Sequence, residues 1–260
     1  MNGSVVQRWD GDYYFVLRTL LMKDFRVRYR NMSLGVGWSL ANPLVMMTVY
    51  WFVFTKIYPS QQQNFPIFLL CGLIPFNFFT LAWLTATTSM VDNANLIKRT
   101  RFPREIVPIS AVLGIVLHFA IQLGLLLSLV LIFGDGFNRH WVWLPLLVVM
   151  EVMFAVGVGL AFSALDVYIR DIRYLVESAN LILFFLVPVF YSFESIPKEY
   201  IIMYRLNPVA AVVFAFRNVL LENRSPSVSL LLNLAMVSGL SLVGGALLFE
   251  RLKRRFYDYL

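Results

Sequence analysis

The stretch YPSQQQNFPIFLLCGLIPFNFFTLAWLTATTSMV, residues 58–91, contains no Asp, Glu, Lys or Arg. An uncharged apolar run of this length is solvated well by the core of a bilayer and poorly by water. The rest of the chain agrees, because 59% of its 260 residues are hydrophobic and 14% are charged, against about 25% in a typical soluble domain. The sequence therefore predicts an all-α membrane protein.

Outward from this stretch, apolar segments separated by polar or charged connections predict six transmembrane helices. The predicted spans are residues 36–57, 65–90, 106–133, 141–165, 175–190 and 227–249. This division leaves an N-terminal region at 1–35, a six-span transmembrane domain at 36–249 and a basic tail at 250–260. Pro43, near the start of the first span, removes a backbone donor and predicts a kink there.

The distribution of positive charge predicts the orientation in the membrane. Connections on one side of the predicted spans, together with both termini, carry 16 Lys and Arg residues, whereas the other side carries 6. Basic connections stay on the cytoplasmic side. The N-terminus and the C-terminus are therefore both predicted to be cytoplasmic, which agrees with an even number of spans.

Residues 13–32 have the periodicity of an amphipathic helix. Apolar side chains three or four positions apart share one face, and basic side chains occupy another. A basic amphipathic helix beside a membrane lies in the headgroup region. The alternative is a helix in the cytosol with a solvated basic face.

The region between the fifth and sixth spans, residues 191–226, is predicted to be external but is largely apolar. Its apolar segments are too short to cross a bilayer and are bounded by Pro197 and by the pair Asn207-Pro208. We interpret them as short re-entrant helices forming an external gate, shaped by Tyr191 together with these three residues. An ordinary external loop is the alternative.

Four segments carry a resemblance to a known family. They are RYRNMSLGVGWSLANPL at 28–44, NANLIKRTRFPREIVPI at 93–109, GVGLAFSALDVYIRDIRYL at 157–175 and LNPVAAVVFAFRNVLL at 206–221. In this order and spacing they resemble the permease subunit of bacterial ABC transporters that export polysaccharides such as O-antigen, capsule or teichoic acid. Each segment alone is a modest signal, but four in register cover nearly the whole chain.

The resemblance implies a homodimer in the bacterial plasma membrane, with two copies of a separate ATP-binding subunit on its cytoplasmic side. ATP and Mg²⁺ would be bound by that partner, and no cofactor is expected in this chain. The sequence agrees, since it contains no Gly-Lys pair and hence no phosphate-binding loop of the common kind. The implied substrate is a glycan on a polyprenyl diphosphate lipid, with O-antigen as the first expectation.

The charged connection after the second span is the candidate contact with the ATP-binding subunit. The resemblance implies that a short helix there enters a cleft on the partner and transmits its closure, with Leu96 and Ile97 as apolar anchors and Asn93, Asn95 and Lys98 as polar contacts. Pro103 limits that helix on its C-terminal side. The alternative is a solvated basic loop that only sets topology.

Basic residues just before the first span are the candidate contact with the lipid diphosphate. Arg26, Arg28 and Arg30 lie at headgroup depth, and guanidinium groups bind phosphate oxygens in a two-pronged geometry. Attraction to anionic phospholipids would explain the same residues.

Aromatic side chains in the first and fifth spans are the candidate lining of the glycan path, because sugar rings stack on aromatic faces. The resemblance implies that these two spans line the path. The candidates are Trp38, Tyr50, Trp51, Phe54, Phe184, Phe185, Phe190 and Tyr191. Interface belts and lipid-facing rings are the alternative explanation.

Motifs for catalysis are absent from the sequence, which has no HExxH, no GxSxG, no paired cysteines and only two histidines. We therefore predict no catalytic residue and no metal site. Because a charge inside the fourth span is costly, we expect Glu151 to be protonated, paired or facing a cavity, and we favour a structural hydrogen bond, with His118 as one candidate. Two rival functions stay open: a drug or small-lipid exporter of the same class, and a membrane enzyme acting on polyprenyl-linked glycans.

Overall fold

The structure, a computed structural model, describes residues 11–29, 35–57, 64–100, 102–134, 136–192, 196–197, 199–200, 204 and 207–259, without the side chains of residues 28, 29, 36, 257 and 258. The described residues form helices and connections and include no strand. The α-helices are α1 Tyr13–Tyr29, α2 Trp38–Phe52, α3 Phe65–Asp92, α4 Ala94–Arg99, α5 Ile106–Phe133, α6 Leu144–Tyr168, α7 Ile172–Leu186, α8 Pro208–Leu220, α9 Val228–Leu252 and α10 Phe256–Tyr259. The all-helical prediction is confirmed.

Within the described residues, five helices are long and apolar enough to cross a membrane. They correspond to α2 continued by a π-helical turn to Ile57, α3, α5, α6 with the 3₁₀ turn before it, and α9. The predicted fifth span corresponds to α7, whose 15 residues extend about 22 Å. This length is less than the roughly 30 Å of a bilayer core, so a sixth crossing is not established by helix length.

Local sequence explains where α7 ends and where α8 begins. Pro188 follows the end of α7 and leaves the residue before it, Val187, in an extended conformation. Asn207 caps α8, because its side-chain oxygen accepts hydrogen bonds from the backbone N–H groups of Val209 and Ala210 at 3.1 and 3.4 Å. Pro208 occupies the first helical position, where its missing N–H is not needed.

The main core is built around α3. Nearly all of this helix is buried against α5, α6 and α8, and Phe78 stacks near Phe119 of α5 with ring centroids 4.6 Å apart. α8 is also buried along most of its length, from Val209 to Leu220. The 207–220 part of the predicted external region is therefore a packed helix and not an exposed loop.

The closest helix crossing joins α6 to α9 through two glycines. A Cβ added at Gly157 would lie 2.3 Å from the backbone of Ser241, and one added at Gly245 would lie 2.0 Å from the carbonyl oxygen of Gly157. Small residues let helix backbones approach this closely in lipid. Gly239, also on α9, faces open space.

A second, smaller core lies where α3 ends, α5 begins and α6 ends. It joins α1 to α4, α9 and α10 through buried apolar side chains: Leu20, Met90, Ile97, Ile106, Val107, Leu160, Ala164, Val167, Phe249 and Phe256. α1 thus packs on protein through Leu20 while Tyr14, Phe15 and Val27 stay exposed. α1 therefore has apolar side chains on its exposed side in addition to the buried one, and a helix of this kind is suited to the membrane interface.

Candidate functional site

Six of the eight predicted path aromatics form one connected cluster, which we call the aromatic path: Tyr50, Phe54, Phe184, Phe185, Phe190 and Tyr191. Phe190 is its centre, with ring centroids 5.6 Å from Phe54, 5.8 Å from Phe184 and 5.2 Å from Tyr191. Tyr50 lies 6.4 Å from Phe190 in a nearly parallel stack, with 11° between the ring planes. The cluster joins α2 to the segment that follows α7.

The two predicted tryptophans lie apart from this cluster. Trp38 is 50% exposed and Trp51 is 40% exposed, both on α2, and neither forms a ring pair with another described residue. Trp51 follows Tyr50 in the helix and therefore points to a different side. The alternative given for these rings, an interface belt or a lipid-facing position, fits both exposed tryptophans better than membership of the aromatic path.

A third wall of the aromatic path comes from α3, which the sequence interpretation did not include. Phe65 lies 5.5 Å from Phe54, and Phe76 lies 5.6 Å from Phe184. The signal was present in FPIFLLCGLIPF at 65–76, where aromatic residues recur near helical spacing, but the same pattern is typical of a buried helix. Only the packing of α3 against α2 and α7 separates the two interpretations.

A cavity of about 450 Å³ adjoins the aromatic path at Tyr191. It is lined by Leu186, Tyr191, Ile196, Pro197, Tyr200, Tyr204 and Asn207. The Tyr191 hydroxyl donates to the carbonyl oxygen of Phe185 at 2.9 Å and lies 3.0 Å from the Tyr204 hydroxyl. Two predicted gate residues, Pro197 and Asn207, thus line one cavity, and the third, Pro208, begins the adjoining helix. Residues 193–195, 198, 201–203 and 205–206 lie outside the described part.

Arg217 of α8 joins the segment after α7, where the aromatic path meets the cavity, to α3 of the core. Its side chain is 3% exposed; Nη2 donates to the carbonyl oxygen of Val189 at 2.6 Å, and Nη1 donates to that of Tyr191 at 3.4 Å. The guanidinium lies 3.6 Å from the centroid of the Phe68 ring in α3. Burial lowers the pKa of Arg217 to about 10, so the group is still charged at neutral pH. The sequence interpretation did not single out this residue, although its apolar neighbours in VVFAFRNVLL, residues 212–221, were a signal of burial.

At the other end of the bundle, the predicted coupling helix is α4, Ala94–Arg99. Asn95 and Lys98 are exposed, whereas Ile97 is 1% exposed and belongs to the second core. Ile97 therefore faces this chain and not a partner, which corrects its predicted role as an anchor. Leu96 is partly buried against the same core. The surface that α4 leaves for a partner is polar and basic.

The side chain of Asn93 forms its hydrogen bonds within this chain. Its side-chain oxygen accepts a hydrogen bond from Lys23 Nζ of α1 at 2.5 Å, and its amide donates to the carbonyl oxygen of Ser89 at 2.8 Å. Asn93 thus ties α1 to the start of α4 and is not a free contact for a partner. Arg26, one of the predicted diphosphate ligands, is exposed on α1. The side chain of Arg28 and the whole of Arg30 lie outside the described residues.

The buried carboxylate of Glu151 has an environment different from the one expected. Glu151 is 2% exposed, and neither carboxylate oxygen hydrogen-bonds to any residue that the structure describes. The suggested contact with His118 is therefore not formed as a hydrogen bond. His118 Nε2 instead lies 3.0 Å from Gln122 Nε2, which also donates to the carbonyl oxygen of Ser39 at 3.0 Å.

Five helices of spanning length, with an aromatic cluster between α2 and the end of α7 and a basic short helix at the other end of the bundle, are those of a multi-pass membrane protein. The family of ABC-2 type transporters matches residues 16–221, and the chain belongs to this family. The expected permease family is thereby confirmed.

Relatives support the same conclusion along the whole chain. An O-antigen export system permease protein RfbA of Klebsiella pneumoniae is 30% identical over 99% of this chain and 100% of its own length. A protein of the same name from Myxococcus xanthus is 29% identical over 95% of each chain. The polysialic acid transport protein KpsM of Escherichia coli is 24% identical over 76% of this chain and 78% of its own length.

Proposed function

We propose that this chain is the membrane-spanning subunit of an ATP-driven exporter that moves polyprenyl-diphosphate-linked polysaccharide, of the O-antigen type, out of the cytoplasm across the bacterial plasma membrane. The observation that carries the proposal is the aromatic path, which joins α2 to the end of α7 and continues to the tyrosine-lined cavity. The names of the relatives support polysaccharide as the cargo.

Aromatic walls suit a long glycan that must slide. A ring offers a flat apolar surface to the C–H face of a sugar and has few rotamers to immobilise, so many weak contacts replace one tight site. Phe184, Phe190 and Tyr191 form such a surface. The hydroxyl groups of Tyr191 and Tyr204 add hydrogen-bonding capacity where the sugar leaves the path.

The energy for export comes from a separate ATP-binding subunit in this proposal. The exposed residues Asn95, Lys98 and Arg99 of α4 would contact it, and the partner would hold the ATP and the Mg²⁺. A rigid short helix packed on the transmembrane body transmits displacement by rigid-body movement. The chain itself acts as a conduit and not as an enzyme.

The same proposal includes six crossings, with α7 as a short fifth crossing that the following extended residues complete. Both termini then lie in the cytoplasm, as the charge distribution predicts. α8 would be re-entrant, since its 13 residues are too few to span a bilayer and most of them are buried in protein.

A homodimer completes the path. In one chain only 6% of the most apolar part of α2 is buried, although this helix carries Tyr50 and Phe54. A second copy would cover α2 and close the path on its open side. At the cytoplasmic leaflet, Arg26, Arg28 and Arg30 would bind the lipid diphosphate.

A transport assay with a matched pair of variants tests this function. The chain is purified with its ATP-binding partner and placed in liposomes, and entry of fluorescent polyprenyl-diphosphate-linked O-antigen is followed with and without ATP. Replacing Phe190→Leu removes the central ring but keeps apolar bulk, and we expect transport to fall about 2- to 10-fold, the value of an aromatic contact. Phe133→Leu, at the exposed end of α5, is the control and keeps full transport.

Three outcomes would contradict the proposal. Transport of a short lipid or a drug in place of the glycan would favour a small-molecule exporter. Cleavage or transfer of the glycan without ATP would favour a membrane enzyme. Equal transport by Phe190→Leu and Phe133→Leu would mean that the glycan does not contact the aromatic path during transport.

A further inference from the structure

The C-terminal segment, residues 253–259, folds back onto the bundle although its sequence is that of a solvated basic tail. Arg254 and Arg255 are exposed, but Phe256, the next residue and the first of α10, is fully buried, with 0% exposure, in the second core. Its ring lies 5.4 Å from that of Phe249 in α9 and 6.0 Å from that of Tyr168 in α6. One aromatic side chain thus anchors this segment in the core that also contains Ile97 of α4.

The same segment is bound to the connection that follows α4. Arg104 Nη1 donates a hydrogen bond to the carbonyl oxygen of Lys253 at 2.5 Å, and the Arg104 guanidinium lies 5.9 Å from the centroid of the Phe256 ring. Lys253 Nζ also lies 3.8 Å from the Glu105 carboxylate. Arg104 and Glu105 directly precede α5, so these contacts hold the connection between α4 and α5.

Further contacts bind the segment to the end of α6. The Tyr168 hydroxyl donates to the carbonyl oxygen of Leu252 at 2.7 Å, and Arg170 Nη2 donates to that of Tyr259 at 3.3 Å. The rings of Tyr168 and Tyr259 lie 4.6 Å apart. The C-terminal segment is therefore a bridge between the α4–α5 connection and the α6–α9 pair.

We infer that the C-terminal segment is a positioning element that fixes α4 against the transmembrane bundle, so that a displacement of α4 is passed to α6 and α9. A helix of six residues is not stable alone, and α4 buries one side chain, Ile97. A loosely held α4 would move without moving the spans. This inference rests on the proposed contact between α4 and the ATP-binding subunit.

The test compares Phe256→Ala with Arg255→Ala in the complete complex with the ATP-binding partner. Both variants change the same segment, but only Phe256 contributes to the second core. The readout is the ratio of O-antigen molecules moved to ATP molecules hydrolysed, which a uniform loss of folded protein leaves unchanged. We expect the ratio to fall about threefold or more in Phe256→Ala, within the range found for residues that modulate coupling, and to stay unchanged in Arg255→Ala.

A second variant and a second measurement keep the inference testable if Phe256→Ala does not fold. Arg104→Gln removes the hydrogen bond to Lys253 and the charge beside Phe256 with little change in volume. Hydrogen exchange of the backbone amides of residues 94–100 should become about tenfold faster in either variant, because local opening of α4 costs less free energy. Exchange in Arg255→Ala should match that of the unmodified chain.

The outcomes separate this inference from the proposed function. If the unmodified complex moves glycan with ATP, but the transport ratio and the exchange of α4 are the same in all variants, the C-terminal segment does not position α4 and the inference is wrong. If the unmodified complex moves no glycan, the proposed function fails, and the exchange measurement alone decides whether the segment fixes α4.

Discussion

Helices α2 and α3 are both apolar, both of spanning length and adjacent in the chain, yet their surroundings are opposite. In their most apolar parts, 78% of the residues of α3 are buried within the chain and 6% of those of α2. α2 leaves Val45, Val49 and Phe52 more than half exposed. Apolar composition places a helix in the membrane, but it does not determine whether protein or lipid covers it.

This contrast divides the molecule into two parts, which we call the fixed body (α3, α5, α6 and α9) and the attached helix (α2). α3, α5 and α6 pack closely with one another and α9 packs on α6, whereas α2 contacts the body along one side, which carries Tyr50 and Phe54. Substitutions in the body should therefore affect folding first. In the homodimer proposed above, substitutions on the outer side of α2 should affect association between the two chains while folding stays intact.

The largest effect is expected at the crossing of α6 and α9. Gly157→Ala places a methyl group 2.3 Å from the backbone of Ser241, and the two helices have to separate to admit it. We expect most of the protein to be lost from the folded fraction in size-exclusion chromatography. Gly239→Ala is the control, because nothing lies within 4 Å of the added carbon. Folded Gly157→Ala protein with an unchanged melting temperature would show that the crossing is not tight.

A direct comparison of the two helices comes from deleting one ring in each. Phe78 of α3 is 2% exposed and Phe52 of α2 is 53% exposed. Phe78→Ala should lower the free energy of unfolding by about 3–5 kcal/mol, because a cavity replaces the ring. Phe52→Ala should change it by less than about 0.5 kcal/mol, as for other exposed positions. Thermal unfolding in detergent measures both, and similar losses would show that α2 belongs to the fixed body.

What the sequence could predict follows from the same contrast. Runs without charge predict helices of spanning length well, since α2, α3, α5, α6 and α9 lie close to their predicted bounds. The role of Ile97 could not be predicted, because apolar residues in a short basic helix suit a partner as well as a core. Phe256 posed the same problem: four basic residues nearby indicate solvent, and only the fold supplies the pocket that buries its ring.

An intermediate effect is expected in the fixed body at Glu151. Both carboxylate oxygens are buried without a hydrogen bond to any described residue, so the group is desolvated without compensation. Glu151→Met keeps the volume and removes the polar atoms, and we expect it to stabilise the protein by about 1–3 kcal/mol. Chemical unfolding in detergent measures the change. Higher stability together with lower transport would mean that the Glu151 carboxylate contacts a partner in another conformation of the protein. Lower stability would contradict the prediction.

The smallest effect is expected where the aromatic path meets the tyrosine-lined cavity, and it tests whether the segment after α7 is held by single hydrogen bonds. Tyr191→Phe keeps the ring but removes a hydroxyl that donates to the carbonyl oxygen of Phe185 and contacts the Tyr204 hydroxyl. We expect a loss of about 1 kcal/mol, the net value of one hydrogen bond, and a shift of a few degrees in melting temperature. Tyr50→Phe is the control, since its ring shares the path while its hydroxyl has no hydrogen bond among the described residues. The pKa of Tyr191 is raised, mainly by burial and secondly by the hydrogen bond with Tyr204. The hydroxyl therefore stays protonated, and the difference between the two variants should be constant from pH 6 to pH 9. Equal melting temperatures for the two variants across this interval would mean that the Tyr191 hydroxyl contributes no more to stability than that of Tyr50.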